Sequence, residues 1–166
     1  LAILEELEHR KLNYEIAILG EQFRSTPKEF DLIQAKFAKR ITQFGFAPNR
    51  ADYLRFLESS DIVLSTALHE FQGLAVLEAV ALGCVPVLPD RQVYPELFGN
   101  RHNEKHQNEK QYLYQSDLNN IQQEAKNAAD LIQFVVANDV KAPDVSLYQV
   151  ENLLNKYDEL IESYRC

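Results

Sequence analysis

The sequence predicts an α/β fold: a Rossmann-like open parallel sheet with helices on both faces. Three observations carry this. Extended and helical patterns alternate along the chain. The extended segments, such as "DIVLST" and "CVPVLP", are short and apolar with few polar interruptions, as in strands covered on both faces. The 166 residues are enough for one domain with a sizeable core.

Taken in order, "LAILEELEHRKL" reads as a helix with Leu1, Leu4 and Leu7 on one face. "YEIAILG" (14–20) is a short strand closed by Gly20. "STPKEFDLIQAKFAKR" opens with a helix start: Thr26 as N-cap, Pro27 at the first helical position, Glu29 three residues after the cap. "ITQFGF" (41–46) is a second strand, "NRADYLRFLESS" a short helix, and "DIVLST" (61–66) a third strand. A loop and an apolar helix follow, then a fourth strand, "CVPVLP" (84–89). "YPELFG" is a short helix with Pro95 in its first turn, and "RHNEKHQNEK" (101–110), with no apolar residue, is a solvated excursion. "QYLYQ" is a candidate last strand. Leu118, Ile121, Ala125, Ala128, Ile132 and Val135 then recur at helical spacing. A final amphipathic helix carries Leu147, Val150, Leu154, Tyr157, Ile161 and Tyr164.

Composition narrows the function classes. A net charge of −8 is a poor electrostatic match for a phosphate backbone, so this piece is not expected to be the main surface for nucleic acid. The two cysteines, Cys84 and Cys166, form no CxxC or Cys/His cluster. That argues against a disulfide framework or structural zinc and suits a reducing, cytoplasmic compartment. The longest apolar stretch, "AVALGCVPVLP", is too short and broken to span a bilayer, so no membrane role is expected. No signal peptide is visible. The chain does not open on Met and reads as a fragment of a larger protein.

The segment "HEFQGLAVLEAVALG" (69–83) holds a contradiction. From Leu74 to Leu82 every residue is apolar except Glu78. Burying an unpaired carboxylate costs several kcal/mol. Gly73 stands where loop becomes helix, and the first amides, at Gly73, Leu74 and Ala75, form a positive end suited to a phosphate. The segment follows a strand, on the side where open sheets bind ligands. A diphosphate at the helix start, a diol on Glu78 and a hexose beside Glu70 would together describe a nucleotide-sugar. On spacing alone a lone Glu in an apolar helix more often pairs with an Arg or Lys of its own domain, or reaches the surface at a helix edge.

"HEFQGLAVLEAVALGCVPVLP" resembles the signature of the C-terminal domain of retaining GT-B glycosyltransferases of family 4. That signature has two glutamates with a Gly between them, then small residues and a buried strand ending in Pro; here these are Glu70, Gly73, Glu78, Gly83 and Pro86. "LGEQF", "GFAPNRADY", "DIVLSTALHEFQGLAVLEAV" and "VYPELF" extend the likeness over roughly residues 12 to 98 to the family of tRNA-queuosine mannosyltransferases and their bacterial relatives. The resemblance implies that residues 1–166 are a single nucleotide-sugar-binding domain, with GDP-mannose as donor, tRNA as acceptor of the parent enzyme, and no metal or other cofactor. Glu70 would be catalytic, contacting hydroxyls of the transferred sugar, and Glu78 would hold the ribose hydroxyls. His69, Phe71, Gln72, Gly73 and Leu74 would contact the donor, and Phe46 in the turn Gly45–Phe46–Ala47 would border the nucleobase.

The sequence departs from that pattern in places. Gln72 replaces the aromatic common before the Gly, and "DRQVYPE" replaces a glycine-rich turn, which weakens Gln92 and Val93 as phosphate ligands. A basic first strand, central to the sheet, would precede Leu1, so an altered or partner-completed sheet is expected. The N-terminal domain that supplies the acceptor site lies outside these residues, and the 166 residues alone are expected to be inactive.

Other candidates have plain structural explanations. His102 and His106, four apart, could pair on a metal but sit in a highly polar run without a third ligand. Arg91 and Tyr94 could line the cleft, Cys84 reads as a core residue, and Tyr157 and Tyr164 as a packing stripe. Two other readings stay open: a non-catalytic Rossmann-like interaction module with Glu78 in an ion pair, and half of a nucleotide-sugar epimerase.

Overall fold

A computed structural model describes residues 1–20, 27–99 and 111–164. The α/β class and the parallel strands are as the sequence predicts. Strands β1 (Ile16–Leu19) and β2 (Ile41–Gly45) pair in parallel, as do β3 (Ile62–Leu64) with β4 (Val85–Pro89) and β4 with β5 (Leu113–Tyr114). Parallel neighbours need crossovers, which helices supply. Helix α1 (Ala2–His9) precedes β1, α2 (Lys28–Lys36) joins β1 to β2, and α3 (Arg50–Glu58) joins β2 to β3. Helix α4 (Leu74–Ala81) joins β3 to β4, and α5 (Tyr94–Phe98) follows β4. Helix α6 (Ile121–Ala137), a 3₁₀ turn (Ser146–Tyr148) and α7 (Val150–Ser163) complete the described chain.

The pleat of β4 sorts its side chains onto two cores. Val85 and Val87 face a cluster with Leu4 and Leu7 of α1 and Ala125, Ala128 and Ala129 of α6. Leu88 faces the other side, with Val76 and Val80 of α4, Tyr94 and Leu113. Adjacent strand residues point to opposite faces. The apolar strands therefore follow from helices on both sides. The run of small side chains in α6 lets α1 lie against it, and Ile3, Leu4 and Leu7 fill that contact.

The sheet is divided. Among the described residues, β1–β2 and β3–β4–β5 are separate ladders. One cavity of about 1060 Å³ is lined by Ile16 and Ile18 of β1, Ile62 and Leu64 of β3, and Leu1, Ile3 and Leu4. The described parallel strands thus stand as two ladders on either side of this cavity. The facing edges leave backbone groups without ladder partners, which the open cavity allows water to satisfy.

Two element readings need correction. Helix α2 starts at Lys28, with Pro27 in the cap position rather than inside the first turn, and Thr26 lies outside the described residues. The stripe on α7 is not a packing face: Val150, Leu154, Tyr157, Ile161 and Tyr164 are all exposed. Helical spacing produces an apolar stripe but does not supply a surface for it to cover. The polar run 101–110, with His102 and His106, lies outside the described residues. No described helix is long and apolar enough to cross a membrane.

Leu88→Ala removes a side chain that is 0% exposed, and should cost about 2–5 kcal/mol in urea denaturation. Leu154→Ala, on the exposed face of α7, should stay within about 0.5 kcal/mol in the same measurement.

Candidate functional site

The loops after β2, β3 and β4 converge at the carboxyl ends of the strands, the ligand side of an open α/β sheet. The turn into α4 is built by Glu70. One carboxylate oxygen, Oε1, accepts from the backbone amides of Phe71 (3.0 Å), Gln72 (3.1 Å) and Gly73 (2.8 Å). Gly73 closes the turn with φ +67, the left-handed region that glycine enters without steric cost. A Cβ there would lie 2.8 Å from Leu97 Cδ1, so glycine also lets α5 approach. The amide of Gly73, with those of Gln72 and Phe71, holds the Glu70 carboxyl below the ordinary glutamate range, against a smaller opposing effect of burial. The Gly73 amide, expected to face the donor phosphate, donates here to the protein's own carboxylate. The first-turn amides of Leu74 and Ala75 remain the donors that α4 itself does not use.

Glu78 resolves the contradiction in the apolar helix, and not as a buried charge. Helix α4 buries Val76, Ala79 and Val80. Glu78 points off that face and its side chain is 38% exposed. Its carboxylate pairs with the guanidinium of Arg50 and accepts a hydrogen bond from the Tyr53 hydroxyl at 3.1 Å. The Arg50 bond, then that of Tyr53, draws the Glu78 carboxyl below its ordinary value, with burial opposing. Burial first, then the Glu78 charge, raises the Tyr53 hydroxyl. The side chain of Arg50 is 63% exposed and lies over the Tyr53 ring at 5.2 Å. The pair is therefore solvent-facing and holds no buried framework together.

Asn49 sets the start of α3 by accepting from the Asp52 amide at 2.9 Å, which places Arg50 and Tyr53 on its first turn toward α4. Glu70, Glu78, Arg50, Tyr53, Phe46 and Ala75 all line the cavity that divides the sheet. Phe46 is exposed and follows Gly45, whose φ is +97. His69, Phe71, Gln72, Gly73 and Leu74 do not line it; Gly73 is buried, the others are exposed, and Phe71 is 87% exposed. The structure thus brings Glu70, Glu78 and Phe46 to one cavity, and leaves the other expected donor contacts outside its lining. Among the described residues no three His, Cys, Asp or Glu side chains cluster as a metal site.

Arg91 is neither solvated nor a cleft residue. Its Nη1 donates to both carboxylate oxygens of Glu124 at 2.9 Å and to Ser116 Oγ at 2.6 Å, with the two charged side chains 10% and 13% exposed. Removing one partner of so enclosed a pair costs about 3–5 kcal/mol. Tyr94 is buried and its hydroxyl lies 2.8 Å from Ser65 Oγ. Cys84 is a core residue whose thiol donates to the Leu57 and Ser60 carbonyls, and burial raises its pKa. The residue-by-residue reading missed Arg50 and Tyr53. Their three-residue spacing behind an Asn cap places them on one helix face, but only the tertiary placement of α3 brings that face to Glu78.

Glu70 and Glu78 both have depressed native pKa values. Their contribution to stability is full above the unfolded glutamate value of about 4.3 and is lost as pH falls through the lower folded values. Glu70→Gln should flatten that acid-side decline in pH-dependent denaturation, with little change to the slope above pH 6. Gly73→Ala should destabilise by about 1–3 kcal/mol by the same measure, since it combines a left-handed backbone with a close contact.

Comparison with known proteins identifies the family. The family described as Glycosyl transferases group 1 matches residues 1–133. The chain is also 42% identical over 93 residues to the tRNA-queuosine alpha-mannosyltransferase of Drosophila melanogaster. That match takes in 56% of this chain and 24% of the relative, so the matched region is about a quarter of that protein. No solved structure matches. A parallel α/β frame, two carboxylates at the carboxyl ends of its strands and a family match over most of the length agree: the chain belongs to the group 1 glycosyl transferases.

Proposed function

We propose that residues 1–166 form the donor-binding domain of a retaining glycosyltransferase that moves mannose from GDP-mannose to tRNA queuosine or a related acceptor, in the cytoplasm. The observation that carries this reading is the meeting of Glu70 and Glu78 at one cleft in a chain of this family. The mannosyl donor and the tRNA acceptor are taken from the name of the Drosophila relative.

In this reading Glu78 accepts the two ribose hydroxyls. Arg50 and Tyr53 now occupy that carboxylate, and a vicinal diol would replace them with two donors of matching geometry. The released Arg50 guanidinium would then be a mobile cation at the cleft mouth, suited to the diphosphate. Glu70, ionised and tied through Oε1, serves as an acceptor for sugar hydroxyls and as a fixed negative charge. Its depressed pKa makes it a poor general acid at neutral pH. The unused first-turn amides of α4 at Leu74 and Ala75 add positive potential beside the leaving diphosphate. Phe46 offers an exposed aromatic face to the base. His69, Phe71 and Gln72 lie on the rim, where a bound sugar or the acceptor would reach them. No metal takes part in this scheme.

A rival reading has a specific observation behind it: the Glu78–Arg50 pair is what a non-catalytic module with an internal ion pair would show. Titration of the full-length protein with a nucleoside diphosphate separates the two. The transferase reading expects saturable binding that Glu78→Ala weakens by about 1.5 kcal/mol or more, roughly tenfold, through loss of charge-assisted hydrogen bonds. Tyr53→Phe, which frees one acceptor site on Glu78, should leave binding within about twofold or tighten it. Absence of binding by the wild-type protein would favour the interaction module.

A further inference from the structure

We propose that Arg91 and Glu124 are a positioning pair that holds the loop carrying Glu70 in register with the cleft. This inference rests on the reading of Glu70 as a contact for the donor sugar. Strand β3 ends at Leu64, and its ladder with β4 is extended only by the Ser65 amide donating to the Val87 carbonyl. Beyond that point side chains take over from the ladder. The Tyr114 hydroxyl donates to the Ser65 carbonyl at 2.8 Å. Arg91 Nη2 donates to the Thr66 carbonyl at 3.2 Å, and Arg91 Nε to the Ala67 carbonyl at 2.9 Å. Three consecutive carbonyls are thereby fixed by two side chains from β5 and the loop after β4.

Arg91 can act as a bracket because its other end is anchored. Nη1 meets the Glu124 carboxylate and Ser116. That carboxylate is itself fixed by the Asp117 amide at 2.7 Å. The guanidinium therefore joins the loops after β3, β4 and β5 in one charged, largely enclosed network. On the far side of the loop, Glu70 ties down the amides of residues 71–73. Only Leu68 and His69, both exposed, stand between the two fixed ends. The position of the Glu70 backbone is thus set by Arg91 from one side and by the α4 turn from the other. A lysine has neither the planar fork nor enough donors to hold two carbonyls, a carboxylate and a hydroxyl together.

The test uses the full-length protein with Arg91→Lys, which keeps the charge of the pair, and Glu124→Gln, which keeps the shape of the side chain, each first checked for a native fold by circular dichroism. Hydrogen exchange read at the amides of Phe71, Gln72 and Gly73 should accelerate in both variants, with core strand amides unchanged. Transfer should fall by about tenfold to a hundredfold, the scale expected for a small misplacement of a contacting group. Affinity for the bare nucleoside diphosphate, which carries no sugar, should stay within about twofold. Unchanged protection of residues 71–73 in both variants would overturn the positioning role. So would a parallel loss of diphosphate affinity and transfer, which marks general loosening of the domain. If the wild-type protein binds no nucleotide-sugar, the transferase reading fails, and the exchange experiment still decides whether Arg91 holds the loop.

Discussion

One carboxylate oxygen organises the region on which the site depends. Glu70 Oε1 collects three successive amides, and no ordinary strand-to-helix turn would bring those amides to a single point without an anion to meet them. The turn requires the left-handed backbone of Gly73, and it starts α4 where Val76, Ala79 and Val80 can reach the core. Once α4 starts there, Glu78 emerges beside α3 rather than into the sheet. The charge that gathers the turn before α4 and the charge that meets Arg50 are thus placed by one backbone geometry.

The divided sheet adds a second constraint. Because β1 and β3 are not laddered to one another, the cavity between them opens directly into the cleft at the carboxyl ends of the strands. Apolar side chains of β1, β3 and α1 share its lining with Glu70, Glu78, Arg50 and Tyr53. Glu78 and Arg50 stay where water can solvate them, which keeps the cost of placing charges on the cavity wall low. The same solvation makes the Arg50–Glu78 pair exchangeable. By contrast, Arg91 and Glu124 are largely enclosed and fully bonded, and belong to the frame. Two Arg–Glu pairs of similar chemistry therefore have opposite roles, decided by exposure.

Much of the frame was legible from short-range pattern. Val85, Val87 and Leu88 read as a two-faced strand because they are covered on both faces; Leu4 and Leu7 read as a helix stripe because α6 lies against them. The same logic misled at α7, where an equally regular stripe faces solvent. At Glu78 the apolar neighbourhood in sequence does not mean burial in space, and the side chain meets Arg50 at the helix edge. A helix of eight residues has room to bury one face only, and sequence neighbours of a buried residue need not be buried.

By itself the sequence determined the class of fold, the parallel strands, the family likeness and the two glutamates on a strand–loop–helix frame. These depend on periodicity, on glycine at a turn and on residue identity, all of which are local. Tertiary structure alone decided that the Gly73 amide serves Glu70, that Arg50 and Tyr53 hold Glu78, and that Arg91 joins three loops. The Glu70 contact is local but depends on the left-handed backbone of the turn, whereas the contacts of Glu78 and Arg91 link residues of different elements, and one-dimensional spacing carries no information about which of those side chains will meet.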